Sequence, residues 1–137
     1  MSDRIPAIKL LLLPKDTNAF GTIFGGVILS NIDLASAVEA RKTAPLRYVT
    51  RAMHQVEFHQ PVFLGDIVSF YTQTVRVGRT SITVRVSVEA ERWGVSPVAS
   101  ATPGRGEVVK VTEAVVVLVA VNDQGGPVPI RPEPMQA

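Results

Sequence analysis

Gly25-Gly26-Val27-Ile28-Leu29-Ser30-Asn31-Ile32-Asp33-Leu34-Ala35-Ser36-Ala37-Val38-Glu39-Ala40-Arg41-Lys42 is the stretch on which the fold turns. It reads as one helix over 25–42, about five turns at the α-helical repeat. Val27, Ile28, Leu29, Ile32, Leu34, Ala35, Val38 and Ala40 cover more than a single stripe. A helix apolar on most of its sides is one that other elements bury. No other segment reads as a good helix, so the rest of the chain must supply that cover.

Outward from the helix, the pattern turns to strand. Residues 7–13 predict a short first strand stopped by Pro14, and 15–22 a polar, glycine-containing loop. After the helix, 47–58 predicts a strand closed by Pro61, and 66–77 another that follows the Leu64-Gly65-Asp66 turn. Val77-Gly78-Arg79-Thr80 reads as a tight reversal. Over 81–91 Ile82, Val84, Val86, Val88 and Ala90 alternate with Ser81, Thr83, Arg85, Ser87, Glu89 and Glu91, the period of a half-buried antiparallel strand. Residues 108–121 predict a long last strand, whose apolar run over 114–121 implies cover on both faces. Pro97, Pro103 and three glycines make 93–106 a flexible loop, and Pro127, Pro129, Pro132 and Pro134 make the tail over 124–137 extended or disordered. There is no internal repeat. The expectation is one α+β domain over 1–137, with a five- to six-stranded antiparallel sheet wrapped around one long helix. A single sheet has two open edges, and pairing one with a second subunit would satisfy it, so a dimer with a continuous sheet is expected.

Composition bounds the function. In 137 residues, 46% are apolar and 19% charged, which suits a packed core. A net charge of +2 gives no basic stripe for nucleic acid. The absence of cysteine excludes disulfides, thiolate metal sites and cysteine nucleophiles. No apolar run is long enough to span a membrane, and Lys9 interrupts the N-terminal apolar stretch, so no secretory pattern is read and a cytoplasmic protein is expected.

Asp33 sits two turns into the apolar helix. Burying a carboxylate costs several kcal/mol unless it is paired, so Asp33 is a general base or nucleophile in a dry cleft, or it lies on the one solvated side near Ser30 and Ser36, or it packs as a structural hydrogen-bond acceptor. Gly25-Gly26 would let a ligand approach the free N–H groups at the helix start, an oxyanion-hole geometry; a plain loop-to-helix turn is the alternative. Asn18 would orient a water or a carbonyl, or serve a turn. Gly78-Arg79-Thr80-Ser81 would bind a phosphate or amide, or form only a hairpin. His54 and His59, five residues apart on a strand, point to opposite faces and lack a clear third ligand, so no metal site is expected. No serine lies in a nucleophile elbow.

Asp16-Thr17-Asn18-Ala19-Phe20-Gly21-Thr22-Ile23-Phe24-Gly25-Gly26 followed by Asp33 resembles the signature of hotdog-fold acyl-CoA thioesterases, in their acyl-CoA hydrolase branch. Val49-Thr50, Phe58 with Pro61-Val62, Gly65-Asp66, the Val77 to Ser81 hairpin, Val111 to Ala114, Val119 to Val121 and Gly126 to Pro129 extend the resemblance over roughly residues 8–130. Two departures stand out: the segment between Arg92 and Lys110 is longer and richer in Pro and Gly, and His54 stands where an acid is common.

The resemblance implies hydrolysis of a fatty acyl-CoA to free acid and CoA without a metal or cofactor, in a homo-oligomer that is at least a dimer and commonly a hexamer. It casts Asp33 as general base or nucleophile, Asn18 of the partner as an orienting group, and Gly25 and Gly26 as holders of the thioester oxygen. It places Gly78, Arg79, Thr80 and Ser81 on the CoA arm, and Phe24 and Phe58 on the acyl pocket wall. A non-catalytic acyl-CoA or lipid sensor on the same fold would need neither acid nor base. A hydratase of this fold would need a histidine near the helix, and neither His54 nor His59 lies in the block from Asn18 to Asp33.

Overall fold

The computed structural model describes residues 4–96 and 102–130. Strand β1 is Ile8–Leu11, helix α1 Gly25–Thr43, β2 Arg47–Phe58, β3 Ile67–Val77, β4 Ser81–Arg92 and β5 Glu107–Val121. They form one antiparallel sheet of five strands in the order β1-β3-β4-β5-β2, which leaves β1 and β2 at the edges. β1 ends two residues before the expected 13. Leu12 N–H bonds Asp66 O at the last rung, and the Leu13 N–H then turns onto the Asp16 carboxylate. That backbone donor, joined by Lys15, holds the Asp16 carboxyl below the usual carboxylate range.

The core lies between α1 and one face of the sheet. Ile82, Val84, Val86, Val88 and Ala90 of β4 and Ala114, Val116, Leu118 and Ala120 of β5 meet Ile28, Ile32, Ala35 and Ala40 of α1. Each large aliphatic side chain so buried contributes about 1.5–3 kcal/mol relative to exposure. Glu39 clamps the far end of α1, its two carboxylate oxygens accepting from Thr72 Oγ1 at 2.9 Å and Thr74 Oγ1 at 2.8 Å. Tyr48 closes the helix end by donating to Ala44 O at 2.9 Å, and burial pushes its phenol up.

Two burial expectations need correction. Among the described residues α1 is covered on one side only: Leu34 is 57% and Val38 40% exposed. Apolar character on most sides records a need for cover that one chain does not meet. Likewise, over 114–121 Val115, Val117 and Val119 are only half-buried, on the face that no described element covers. The tail is ordered further than its prolines suggest. The Asn122 side chain accepts from Gln124 and Gly126 N–H in a turn, after which Val128 and Ile130 N–H bond Ala120 and Arg79 O. The central part of the long loop, 97–101, and the end of the tail, 131–137, lie outside the described residues. The described flanks of that loop are tied by Gly104 N–H to Gly94 O and Gly106 N–H to Arg92 O.

Thr112, fully buried on β5, has a hydroxyl with no hydrogen-bond partner among the described residues. An unmet buried donor costs about 1–3 kcal/mol, so Thr112→Val, similar in shape, is expected to raise unfolding stability by about 1 kcal/mol. A urea titration that shows a loss of that size instead would mean the hydroxyl is satisfied.

Candidate active site

α1 begins without a side-chain cap. Phe24 occupies the N-cap and the first turn carries no acid; Val27 N–H bonds Phe24 O at 2.9 Å, while the Gly25 and Gly26 amides have no hydrogen bond among the described residues and can meet a ligand. Two exposed aromatic rings flank the glycines. A Cβ on Gly26 would run into the Phe24 ring, and one on Gly25 would lie 3.6 Å from Phe58 Cζ. A cavity of about 190 Å³ opens beside them, lined by Ile23, Gly25, Ile28, Phe58, Pro61 and Val62 with His59 and Gln60. Its walls are mainly aliphatic and aromatic, as an acyl chain requires. Asn18 lies in the loop leading to this end, with Oδ1 accepting from Phe20 and Thr22 N–H and Nδ2 donating to Thr22 Oγ1. Within one chain Asn18 thus performs the turn role.

Asp33 lies elsewhere. Eight residues of α1 separate it from Gly25, about 12 Å at the helical rise. The structure therefore does not bring Asp33 and the glycines to one point within a chain. Asp33 faces β2 instead, where Thr50 Oγ1 donates a short hydrogen bond to its Oδ1. Oδ2 has no hydrogen bond among the described residues. Sequence reasoning missed Thr50 as a site residue, because it meets Asp33 from another element 17 positions away. The signal available was a hydroxyl on the strand that follows the helix. Thr50 pairs with Leu118, and Leu118 with Ile82, so the Asp33 end of the sheet is also the hairpin end. There Gly78 N–H bonds Ser81 O at 2.7 Å, Thr80 O accepts from Ala120 N–H, and Arg79 is exposed. Each chain thus presents an amide half, Asn18 with Gly25-Gly26, Phe24 and Phe58, and an acid half, Asp33 with Thr50 and the hairpin.

The alternation expected between His54 and His59 does not hold. Gln55 adopts φ 53° in a β-bulge between His54 and Glu57, which cancels the alternation. His54 then opposes Val115, and Glu57 opposes Glu113, both on the face away from α1. His59 Nε2 comes 3.6 Å from Glu113, and Glu57, His59 and Glu113 place ligand atoms within 4.8 Å of one another. Lys110 already holds Glu113 at 2.8 Å; that contact, then His59, keeps the Glu113 carboxyl below its usual range. A second hollow of about 310 Å³ beside this group has polar walls of Gln55, Glu57, Arg85 and Glu113 and includes neither Asp33 nor the glycines.

A model of the thioesterase superfamily matches residues 20–95. An uncharacterized acyl-CoA thioester hydrolase of Haemophilus influenzae is 39% identical over 118 residues, 86% of this chain and 72% of that protein. Cj0915, a hexameric hotdog fold thioesterase of Campylobacter jejuni, superposes with a TM-score of 0.81 at 44% identity, over 92% of this chain and 90% of that one. HI0827, a hexameric broad specificity acyl-coenzyme A thioesterase, superposes at 0.83 with 36% identity, over 98% and 86%. One helix wrapped by a five-stranded antiparallel sheet is the hotdog fold of these structures.

Proposed function

This chain belongs to the thioesterase superfamily, and from that premise we propose that it hydrolyses acyl-CoA to a free acid and CoA in a site assembled from two copies of the chain. The observation that carries this reading is the division of one helix into an amide half and an acid half about 12 Å apart. A two-fold axis that sets two such helices antiparallel brings the acid half of one to the amide half of the other. The unpaired β2 edge, 12 residues long, supplies the contact. An edge of that length invites pairing, and Val49 and Phe58 on β2, Leu34 on α1 and Phe24 at its N-cap are all exposed. The solved relatives named above are hexameric, and a hexamer of three such dimers is the assembly proposed here.

In this site the acyl chain enters the apolar cavity beside Phe58, and the thioester oxygen meets the free amides of Gly25-Gly26 and Asn18 of the same chain. Asp33 of the partner faces the carbonyl carbon. Thr50 fixes Oδ1, which leaves Oδ2 to take a proton from water. The resulting hydroxide adds to the carbonyl carbon, negative charge collects on the oxygen held by the amides, and collapse breaks the C–S bond to release CoA thiolate. Thiolate is a good leaving group, so the scheme needs neither metal nor cofactor. Gly78 to Ser81 contact the CoA arm, with Arg79 toward phosphate. No described helix is long and apolar enough to cross a membrane, and a cytoplasmic enzyme is the setting proposed.

The test is CoA release from a panel of acyl-CoAs of short to long chain. Turnover on any member supports the reading. Binding without release on every member would make the chain an acyl-CoA sensor. Thr50→Val should lower kcat about tenfold or more with KM little changed, since it disturbs the orientation of Asp33 and not substrate binding. A rise in KM alone would assign Thr50 to binding.

A further inference from the structure

We propose that Glu57, His59 and Glu113 form a binding site for one divalent cation of the zinc type, on the sheet face turned away from α1. Two strands deliver it. The bulge at Gln55 shifts the register of β2 so that Glu57 stands directly opposite Glu113 on β5. Two residues on, His59 N–H bonds Val111 O at 2.7 Å, which holds the chain beyond β2 against β5 with the His59 ring beside Glu113. His54, the other of the two histidines, opposes Val115 and takes no part.

The arrangement is unfavourable until a positive charge enters it, because like charges directly opposite on neighbouring strands repel. Lys110 answers one of the two carboxylates, with Nζ 2.8 Å from Glu113 Oε2. Glu57 has no ion pair among the described residues, although Arg85 lines the same hollow.

Donor set and spacing select the ion. An imidazole nitrogen with two carboxylates suits Zn²⁺ at about 2.0–2.2 Å per bond, so two ligands of one ion stand no more than about 4.4 Å apart. His59 Nε2 and Glu113 Oε2 are already 3.6 Å apart, and all three donor atoms lie within 4.8 Å of one another, so a small side-chain rotation closes the set. Mg²⁺ and Ca²⁺ take oxygen ligands and fit this set worse. Glu57 and His59 are exposed and Glu113 half-buried, so the ion can enter, and the polar hollow of about 310 Å³ leaves room for water in the fourth position. Lys110 is exposed and can yield its place on Glu113. His59 also lines the apolar cavity beside Phe58, so a bound ion fixes one wall of that cavity from outside it.

The experiment is calorimetric titration of Zn²⁺ into the untagged full chain, first stripped of metal with a chelator. The expected result is saturable binding of one Zn²⁺ per chain. His59→Gln and Glu57→Gln should each weaken it by about 100-fold or more, since a lost ligand costs more than the roughly 10–100-fold lost with an outer-shell partner. His54→Gln should bind as wild type does, and Lys110→Ala, which frees Glu113, should bind several-fold more tightly. Three results would overturn the proposal: no saturable binding by wild type, equal binding by wild type and His59→Gln, or Mg²⁺ bound as tightly as Zn²⁺, the behaviour of an ordinary acidic surface. If His59→Gln does not fold, Glu57→Gln, at an exposed position, carries the same test. CoA release is not the readout, so this site stands or falls apart from the thioesterase reading.

Discussion

Replacing Asp33 by Ala should lower kcat/KM for acyl-CoA by about 10²–10⁴-fold, the usual contribution of a positioned general base. The particle should be unaffected. Asp33 is partly exposed, and its side chain makes one hydrogen bond, to Thr50, itself exposed on an edge strand. Losing such a contact costs about 0.5–1.5 kcal/mol. Asp33→Asn separates the two roles: the amide oxygen still accepts from Thr50, but the group no longer takes a proton from water. CoA thiol release, measured beside the elution volume, is the check. An Asp33→Asn protein with full turnover would remove Asp33 from the chemistry.

The second large effect concerns stability. Asp66 is fully buried. Its Oδ2 accepts from Arg92 Nη1 at 2.6 Å and Phe63 N–H at 3.0 Å, and its Oδ1 from Trp93 and Gly94 N–H at 3.2 and 3.1 Å. One carboxylate therefore ties the turn before β3 to the end of β4. Arg92 is held in turn over the Phe63 ring, 4.6 Å from its centroid. Asp66→Ala strands the Arg92 charge, whose side chain is 12% exposed, and should cost about 3–5 kcal/mol. The midpoint of a guanidinium titration should fall accordingly. Arg92→Ala should cost less, because three backbone donors still hold the carboxylate. An Asp66→Ala protein within 1 kcal/mol of wild type, by the scale of isolated surface pairs, would show that the ion pair merely offsets its own desolvation.

The strands were legible where burial is one-sided. The alternation over 81–91 follows from a β4 with one face on α1, and 25–42 was readable because nothing breaks the helix before Thr43. Less was legible where the cause lies across the fold. The bulge at Gln55 needs a positive φ at a residue that is not glycine, which no local pattern announces, and it reversed the placement of His54 relative to His59. Asp66 reads locally as a turn residue, because its partner Arg92 is 26 positions away. Asn18, Gly25, Gly26 and Asp33 stand close together along the sequence. The helical rise divides them, and only the structure shows Thr50 on the acid side and Phe58 on the amide side. Leu34, Val38 and the β5 valines read as buried in sequence, yet the described residues of one chain leave them exposed or half-exposed.

Subunit complementation tests the shared site most directly. Asp33→Ala and Asn18→Ala chains, each inactive alone, are unfolded together, refolded as a mixture and assayed for CoA release. If Asp33 of one chain works with Asn18 and the glycine amides of its partner, every mixed dimer regains one intact site, and random mixing restores about a quarter of wild-type activity. No recovery from a mixture shown to contain mixed dimers would contradict a site shared by two chains.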